Sequence, residues 1–192
     1  MRPSRPFEAI TYIWFMRWIY ALLLSSTQLG AEPVIIEDFG DGLDGGWRYV
    51  RDRVMGGVSD GQALLLQEAG LTFARLEGQV STANNGGFIQ IRHQLDVSFD
   101  AASTGLSLRV RGNGERYYVH LRPTSSRRPW QFFQAGFDTN GSWQEITLPW
   151  SKFVPQGGLQ GAFDPSEITS MGLVAYGADY VAQLDVAKIK VE

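Results

Sequence analysis

Short runs of strand-forming residues, separated by turn residues, follow one another along most of the chain. Between residues 34 and 191 there are about ten such runs, and Gly, Asn, Pro or Ser separates almost every neighbouring pair. In one of them Leu106, Leu108 and Val110 alternate with polar residues, so one face of that strand should enter a core. The best helical candidate, residues 165–168, is long enough for a single turn only. The pattern predicts an all-β fold, a two-sheet β-sandwich of the jelly-roll kind.

The composition supports a core that does not depend on cross-links. Hydrophobic residues make up 44% of the 192-residue chain, and cysteine is absent, which excludes disulfides and thiol chemistry. Large rings at strand positions are expected to fill the space between the sheets. These rings are Trp47, Phe73, Phe88, Trp143 and Phe153.

The first 31 residues do not fit the sandwich pattern. Residues 9–24 are almost all apolar, with Arg17 as the one charge, and small residues follow as far as Ala31. This is typical of a secretory signal peptide over residues 1–31, in which Arg17 becomes the positive start if translation begins at Met16. The alternative is a membrane anchor, but the uninterrupted apolar run is much shorter than the roughly 20 residues a spanning helix needs. We expect an exported, periplasmic domain over residues 32–192, with association to the membrane as the alternative.

The charge balance bears on the class of partner. The formal net charge is −3 for the whole chain, and the predicted signal peptide carries more basic than acidic residues. The remaining domain is therefore mildly acidic and has no general attraction for nucleic acid.

Two segments combine a Gly-Gly pair with polar residues. Residues 52–59 read Asp-Arg-Val-Met-Gly-Gly-Val-Ser, and residues 84–88 read Asn-Asn-Gly-Gly-Phe. Such glycines allow a turn, a bulge or a close approach of two backbones, and Asn tolerates left-handed backbone. The segments are predicted to meet in one cluster, either as a binding site or as a structural lock in which Asp52 caps loop N–H groups and Arg53 is buried by pairing. The candidate binding residues are Asp52, Arg53, Met55, Gly56, Gly57, Ser59, Asn84 and Asn85.

Arginines and aromatic residues alternate in the later runs. Planar cations and rings on a concave sheet face suit a sugar or a peptide, and the alternative is a solvated face on which arginine stems cover ring edges. By strand periodicity, Tyr118, His120 and Arg122 share a face. The candidate binding residues of this group are Arg92, Arg109, Arg111, Tyr118 and Trp130.

Catalysis and metal binding receive little support. The chain has two histidines and no zinc-ligand pattern, so we expect neither an enzyme nor a cofactor. A weaker alternative is a structural calcium ion that bridges the first and last strands. Its candidate ligands are Glu37, Asp38, Asp41 and Asp185.

The polar-glycine segments are part of a longer ordered set of motifs. The set comprises residues 52–59, Phe73, 78–81, 84–88, Arg92, 105–114, Tyr117, Trp143, 149–153, Ile168, Met171 and Gly172. In order and spacing, over residues 35 to 191, this set resembles the CIA30 family, named for complex I intermediate-associated protein 30. The resemblance implies a galactose-binding-like jelly roll related to carbohydrate-binding modules. It also implies a non-enzymatic domain whose best-known mitochondrial members assist the assembly of respiratory complex I.

Two functions follow as expectations. The first is a non-catalytic binding or assembly module that engages a protein client or a subunit of a membrane complex. The alternative is a carbohydrate-binding module that uses Arg109, Arg111, Tyr118 and Trp130 on a shared concave face.

Overall fold

A computed structural model describes residues 32–43 and 45–192. In these residues twelve strands form two antiparallel sheets. Sheet 1 contains β1 (Val34–Glu37), β3 (Asp60–Glu68), β4 (Leu71–Val80), β6 (Gly105–Gly112), β9 (Gln144–Pro149) and β12 (Tyr180–Val191). Sheet 2 contains β2 (Arg48–Arg51), β5 (Phe88–Gln94), β7 (Arg116–Pro123), β8 (Phe132–Asp138), β10 (Val154–Gln156) and β11 (Ile168–Tyr176).

The strand order places early and late strands side by side. Sheet 1 runs β3-β4-β12-β6-β9, with β1 against the end of β12, and sheet 2 runs β10-β8-β7-β11-β5-β2. Neighbouring strands pair antiparallel throughout the two sheets. The predicted all-β, two-sheet sandwich is confirmed.

The core lies between the sheets and follows the alternation in the sequence. Leu106, Leu108 and Val110 of β6 are fully buried, as are Val119 and Leu121 of β7 in the other sheet. Each such side chain contributes about 1.5–3 kcal/mol when it leaves water.

One buried side chain joins the sheets through hydrogen bonds. The hydroxyl group of Tyr117, on β7, donates to Oδ1 of Asn113 at 2.7 Å and accepts from the backbone N–H of Gln183, on β12, at 2.8 Å. Burial raises the pKa of Tyr117 to about 12. The Tyr117 side chain is fully buried, and these two hydrogen bonds to residues near the surface satisfy its hydroxyl group.

The expected core rings divide into two groups. Trp47 and Phe153 lie in the core, as predicted. The prediction is wrong for Phe88, which lines a surface cleft, and for the half-buried Trp143. Phe73 is buried, but it packs edge-on against Trp143, at 5.3 Å between ring centroids, and not in the cluster between the sheets. An aromatic residue is compatible with either face of a strand, so the size of a ring alone does not show whether it points into the core.

The remaining elements are single turns. The 3₁₀ turns are Asp52–Met55, Ala83–Asn85, Trp150–Lys152 and Pro165–Glu167, and the last confirms the predicted single turn. Within the described ranges no helix is long and apolar enough to cross a membrane. The predicted signal peptide, residues 1–31, lies outside the described residues.

Candidate functional site

The outer face of sheet 2 carries a cleft of about 560 Å³, here called the sheet-2 cleft. Its floor is formed by the adjacent strands β5, β11 and β7, whose inward side chains pack in the core. Because side chains alternate along a strand, the remaining positions point into the cleft. These floor residues are Gln90, Arg92, His120, Arg122, Ser170, Gly172 and Val174.

Two walls rise from this floor. Val54 and Met55 of the 52–55 turn, with Asn85 and Gly86 of the next turn, line one side. The opposite side combines the segment before β8 with the end of β10. Its residues are Pro129, Trp130, Phe132, Gln156 and Gly157.

Asp52 holds the first wall together, although it does not line the cleft. Its fully buried carboxylate accepts hydrogen bonds from the backbone N–H of Ser59 at 3.1 Å and from the Ser59 hydroxyl at 2.5 Å. It also accepts from the N–H of Gly87 at 2.7 Å and of Phe88 at 3.3 Å. One side chain therefore ties the turn at 52–55 to the start of β5.

The electrostatics of Asp52 follow from these contacts. Burial raises the pKa of the carboxyl group, but the hydrogen bonds from Ser59, Gly87 and Phe88 together outweigh it, so the pKa is lowered. The glycines make room for the carboxylate, because a Cβ atom on Gly57 or Gly86 would overlap it. One glycine of each pair is thus explained by close packing around Asp52, and the other, Gly56 or Gly87, has a positive φ of 90° or 126°.

The two polar-glycine segments meet, as predicted. Asp52 accepts hydrogen bonds from the N–H groups of Ser59, Gly87 and Phe88, which confirms its predicted role as a cap of loop N–H groups. The side chain of Arg53 is exposed and takes part in none of the side-chain hydrogen bonds or ion pairs of the described residues, so its predicted burial by pairing is wrong. Asn84 and Asn85 are also exposed and adopt left-handed backbone, with φ of 57° and 59°.

One end of the cleft, the aromatic end, is formed by Phe88, His120, Phe132 and Tyr176. The ring of His120 stacks on Phe132 at 3.8 Å between centroids, and Tyr176 meets it edge-on at 5.5 Å. Nε2 of His120 lies 2.9 Å from Oε1 of Gln134. Burial lowers the pKa of His120 to about 3, so the imidazole is neutral near pH 7 and serves as a flat ring.

A second hollow of about 550 Å³ adjoins the other end of the cleft and shares Arg92, Arg122, Pro129 and Ser170 with it. Arg127 and Arg128 also line this hollow, here called the cationic end. Nη2 of Arg122 donates to the carbonyl oxygen of Arg128 at 2.7 Å, while its Nε is buried without a hydrogen-bond partner. The guanidinium group of Arg128 lies over the ring of Trp130, 5.5 Å from its centroid. Arg92 and Trp130 are the predicted binding residues that line this part of the cleft.

Arg109 and Arg111 lie on β6 of sheet 1, away from the cleft. Arg111 pairs with Asp185 and with Glu68, each at 2.8 Å, and its guanidinium group covers the ring of Trp143 at 4.7 Å. The predicted face shared by Arg109, Arg111, Tyr118 and Trp130 is therefore wrong, because the two arginines belong to the other sheet. Their surroundings match the alternative of a face on which arginine covers ring edges.

Tyr118 does lie on the outer face of sheet 2, beside the cleft. Its ring meets Tyr176 edge-on at 6.0 Å, and the guanidinium group of Arg116 lies 6.0 Å from its centroid. Tyr118 thus supports the aromatic end without lining it.

The carboxylates considered for calcium have other partners. Asp185 accepts from Nε of Arg75 at 2.6 Å and is also paired with Arg111. Glu37 accepts from Nε1 of Trp47 at 2.8 Å, and Asp38 accepts from the N–H of Gly40 at 3.0 Å. In the part of the chain that the structure describes, no three His, Cys, Asp or Glu residues form a group that could hold a metal ion.

Several cleft residues were not among the predicted binding residues. The periodicity from Tyr118 already placed His120 and Arg122 on one face, and the same step of two from Arg92 leads to Gln90. Phe132 and Tyr176 had no comparable signal, because their position depends on which strands are neighbours in sheet 2.

Comparison with solved structures identifies similar sandwiches. The family 11 carbohydrate-binding module of a cellulosomal cellulase of Clostridium thermocellum matches with a TM-score of 0.69 and 15% identity, over 84% of this chain and 95% of that one. The module of that family from Clostridium thermocellum in complex with a β-1,3-1,4-mixed-linked tetrasaccharide gives 0.67 and 16%, over 83% and 94%. A family 30 carbohydrate-binding module gives 0.54 and 16%, over 84% and 94%. At these identities the likeness establishes the jelly-roll fold.

Sequence comparison establishes the family. No curated protein matches the chain by sequence. The family model described as "Complex I intermediate-associated protein 30 (CIA30)" matches residues 38–186, which include both polar-glycine segments and nearly all of the sandwich. The chain therefore belongs to the CIA30 family.

Proposed function

We propose that this chain is a non-catalytic binding module whose ligand lies in the sheet-2 cleft. The observation that carries the proposal is the cleft itself, which places aromatic rings and arginines around a floor of small and polar side chains. This lining offers surfaces for stacking and hydrogen bonding.

The geometry of the cleft favours a carbohydrate chain. Its floor strands β5, β11 and β7 each have a paired neighbour on both sides, so their backbone groups are already used and only side chains can select the ligand. Addition of a peptide strand requires an open sheet edge, which this floor lacks. Flat rings beside Gln90, Gln156 and Arg92 suit sugar rings and their hydroxyl groups. The tetrasaccharide bound by the similar family 11 module is compatible with this candidate.

The second candidate is an assembly module that holds a protein client or a subunit of a membrane complex. Membership of the CIA30 family, named for a complex I intermediate-associated protein, supports this candidate. In this case the same cleft, with the exposed side chains of Val54 and Met55 at its rim, would contact the client.

Parallel binding assays with one set of variants separate the candidates. The purified protein, a Trp130→Ala Tyr176→Ala variant and a Val181→Ala control are tested on a glycan array and in pull-downs from membranes. Val181 is exposed on β12 of sheet 1, so its substitution leaves the cleft intact. We expect the cleft variant to lose at least about tenfold in affinity, and the control to bind as the wild type does. Equal binding by all three proteins would place the site elsewhere.

We propose further that the domain is exported, with residues 1–31 removed. The apolar run and the small residues that follow it support this localisation. Intact-mass measurement of the native protein should give a chain that begins near Glu32. A protein that retains Met16 to Ala31 would contradict export.

A further inference from the structure

The sheet-2 cleft concentrates positive charge in an otherwise acidic chain. The chain has 20 acidic and 17 basic residues, yet no Asp or Glu lines the described cleft, whose cationic end contains four arginines. The ion pairs of residues 32–43 and 45–192 do not include Arg92, Arg122, Arg127 or Arg128. The charge of this end is therefore not balanced by carboxylates of the described residues.

Among these four arginines, Arg122 is the one whose positive charge is destabilised by its surroundings. Burial lowers its pKa, and the positive charge of Arg92 lowers it further. Its Nε is buried without a hydrogen-bond partner, which is uncommon for a group with this desolvation cost. An anionic group beside Arg122 would offset both the repulsion and the desolvation.

The floor between the two arginines has space for such a group. Arg92 lies opposite Gly172 on one side of β11, and Arg122 lies opposite Ser170 on the other side. Gly172 has no side chain, and Ser170 is small and buried, so the floor between the two arginines is low. Oε1 of Gln90 reaches over Gly172, since a Cβ atom there would come within 2.7 Å of it, so this part of the gap is bordered by the end of a flexible side chain and not by backbone.

We propose that the cleft binds an acidic polysaccharide, with a sugar carboxylate held between Arg92 and Arg122 and sugar rings against Tyr176 and Trp130. The inference rests on the proposed carbohydrate function and specifies its ligand. A planar carboxylate matches the planar fork of a guanidinium group. The interior position of the floor strands favours a sugar chain over an acidic peptide, because no backbone edge is open for strand addition.

The test compares four polymers on one protein. Binding of polygalacturonate, a neutral β-glucan, dextran sulfate and polyglutamate is measured by calorimetry at low and at physiological salt. The variants are Arg92→Gln and Arg122→Gln, and the matched control is Arg109→Gln, which removes the same charge from sheet 1. Thermal melting confirms that each variant is folded, and Arg92→Gln keeps the test valid if the half-buried Arg122 cannot be replaced.

We expect polygalacturonate to bind most tightly of the four polymers. Its affinity should fall about tenfold in either cleft variant, and it should be lower at physiological than at low salt. The control should bind as the wild type does. Equal binding of the β-glucan, or selective binding of dextran sulfate, would overturn the carboxylate inference and leave the carbohydrate function standing. Binding of polyglutamate alone would overturn both and favour a protein client. An equal loss in Arg109→Gln would show nonspecific attraction and overturn the assigned site.

Discussion

Asp52 shows how one residue can shape a cleft that its own side chain does not line. Its buried carboxylate receives hydrogen bonds from Ser59, Gly87 and Phe88, and each of these donors belongs to a segment beside the cleft. A buried charge of this kind is tolerated because several donors satisfy it. The side chain is therefore a positioning residue for the wall formed by Val54, Met55 and Asn85.

Replacement of Asp52 by alanine should be costly. The change leaves the buried N–H groups of Ser59 and Gly87 without an acceptor, so the free energy of unfolding should fall by about 2–4 kcal/mol. Urea denaturation measures this loss, and the exposed neighbour provides the control, since Arg53→Ala should change stability by no more than about 0.5 kcal/mol. Equal losses for the two variants would contradict the structural role of Asp52.

His120 should make stability depend on pH in the mildly acidic range. Its pKa is about 3 in the folded protein, because it is buried, and about 6.5 in the unfolded chain. The unfolded state therefore takes up a proton first as the pH falls, and stability is lost from about pH 6.5 downwards. Between pH 7 and pH 5 the loss should reach about 2 kcal/mol.

Urea denaturation at pH 7 and pH 5 measures this dependence in the wild type and in His120→Gln. Carboxyl groups titrate in both proteins, so the difference between the two pH dependences isolates the histidine. Identical dependences would mean that the imidazole is not desolvated in the cleft.

At the scale of elements, the walls of the cleft are short turns held by packing that only glycine permits. A Cβ atom on Gly57 would overlap the Asp52 carboxyl group, so Gly57→Ala must move the 52–55 turn or break its hydrogen bonds. We expect a loss of about 2 kcal/mol or more in stability and weaker ligand binding. Gly141→Ala is the matched control, because a Cβ atom there meets nothing within 4 Å. Unchanged stability in Gly57→Ala would show that the turn is free to shift.

The sequence correctly predicted some features of the strands and turns. Alternation in β6 and β7 gave the inward faces correctly, because Leu108 and Val119 have no satisfactory position except the core. The Gly-Gly pairs correctly indicated close approach. The predicted capping of loop N–H groups by Asp52 was also correct, but the sequence could not identify Gly87 as one of the donors, because every non-proline residue carries a backbone N–H.

The assignment of Arg111 to a binding face failed for a reason of topology. Strands adjacent in sequence, β6 and β7, belong to different sheets, and their outer faces point away from each other. Periodicity gives the face of a strand but not its sheet, so Arg111 and Tyr118 were placed together although the sandwich separates them.

At the scale of the whole molecule, the outer faces of the two sheets differ in whether their arginines are paired with carboxylates. On sheet 1, Arg75 and Arg111 converge on the buried Asp185, and rings of Phe73 and Trp143 fill the space around them. These two arginines are therefore paired within the face. On sheet 2, the arginines of the cleft have no carboxylate partner among the described residues, which is the reason for placing ligand binding there.

The connection between the sheets provides the last prediction. The Tyr117 hydroxyl links β7 to β12, and Tyr117→Phe would leave the part-buried hydrogen bond from the N–H of Gln183 without its acceptor. We expect a loss of about 1–2 kcal/mol, measured by urea denaturation, with Tyr118→Phe on the outer face as the unaffected control. Because burial raises the pKa of Tyr117 to about 12, its contribution should be complete below pH 10 and decline as the pH rises toward 12. A variant as stable as the wild type would mean that the Tyr117 hydroxyl group contributes nothing to the connection between the sheets.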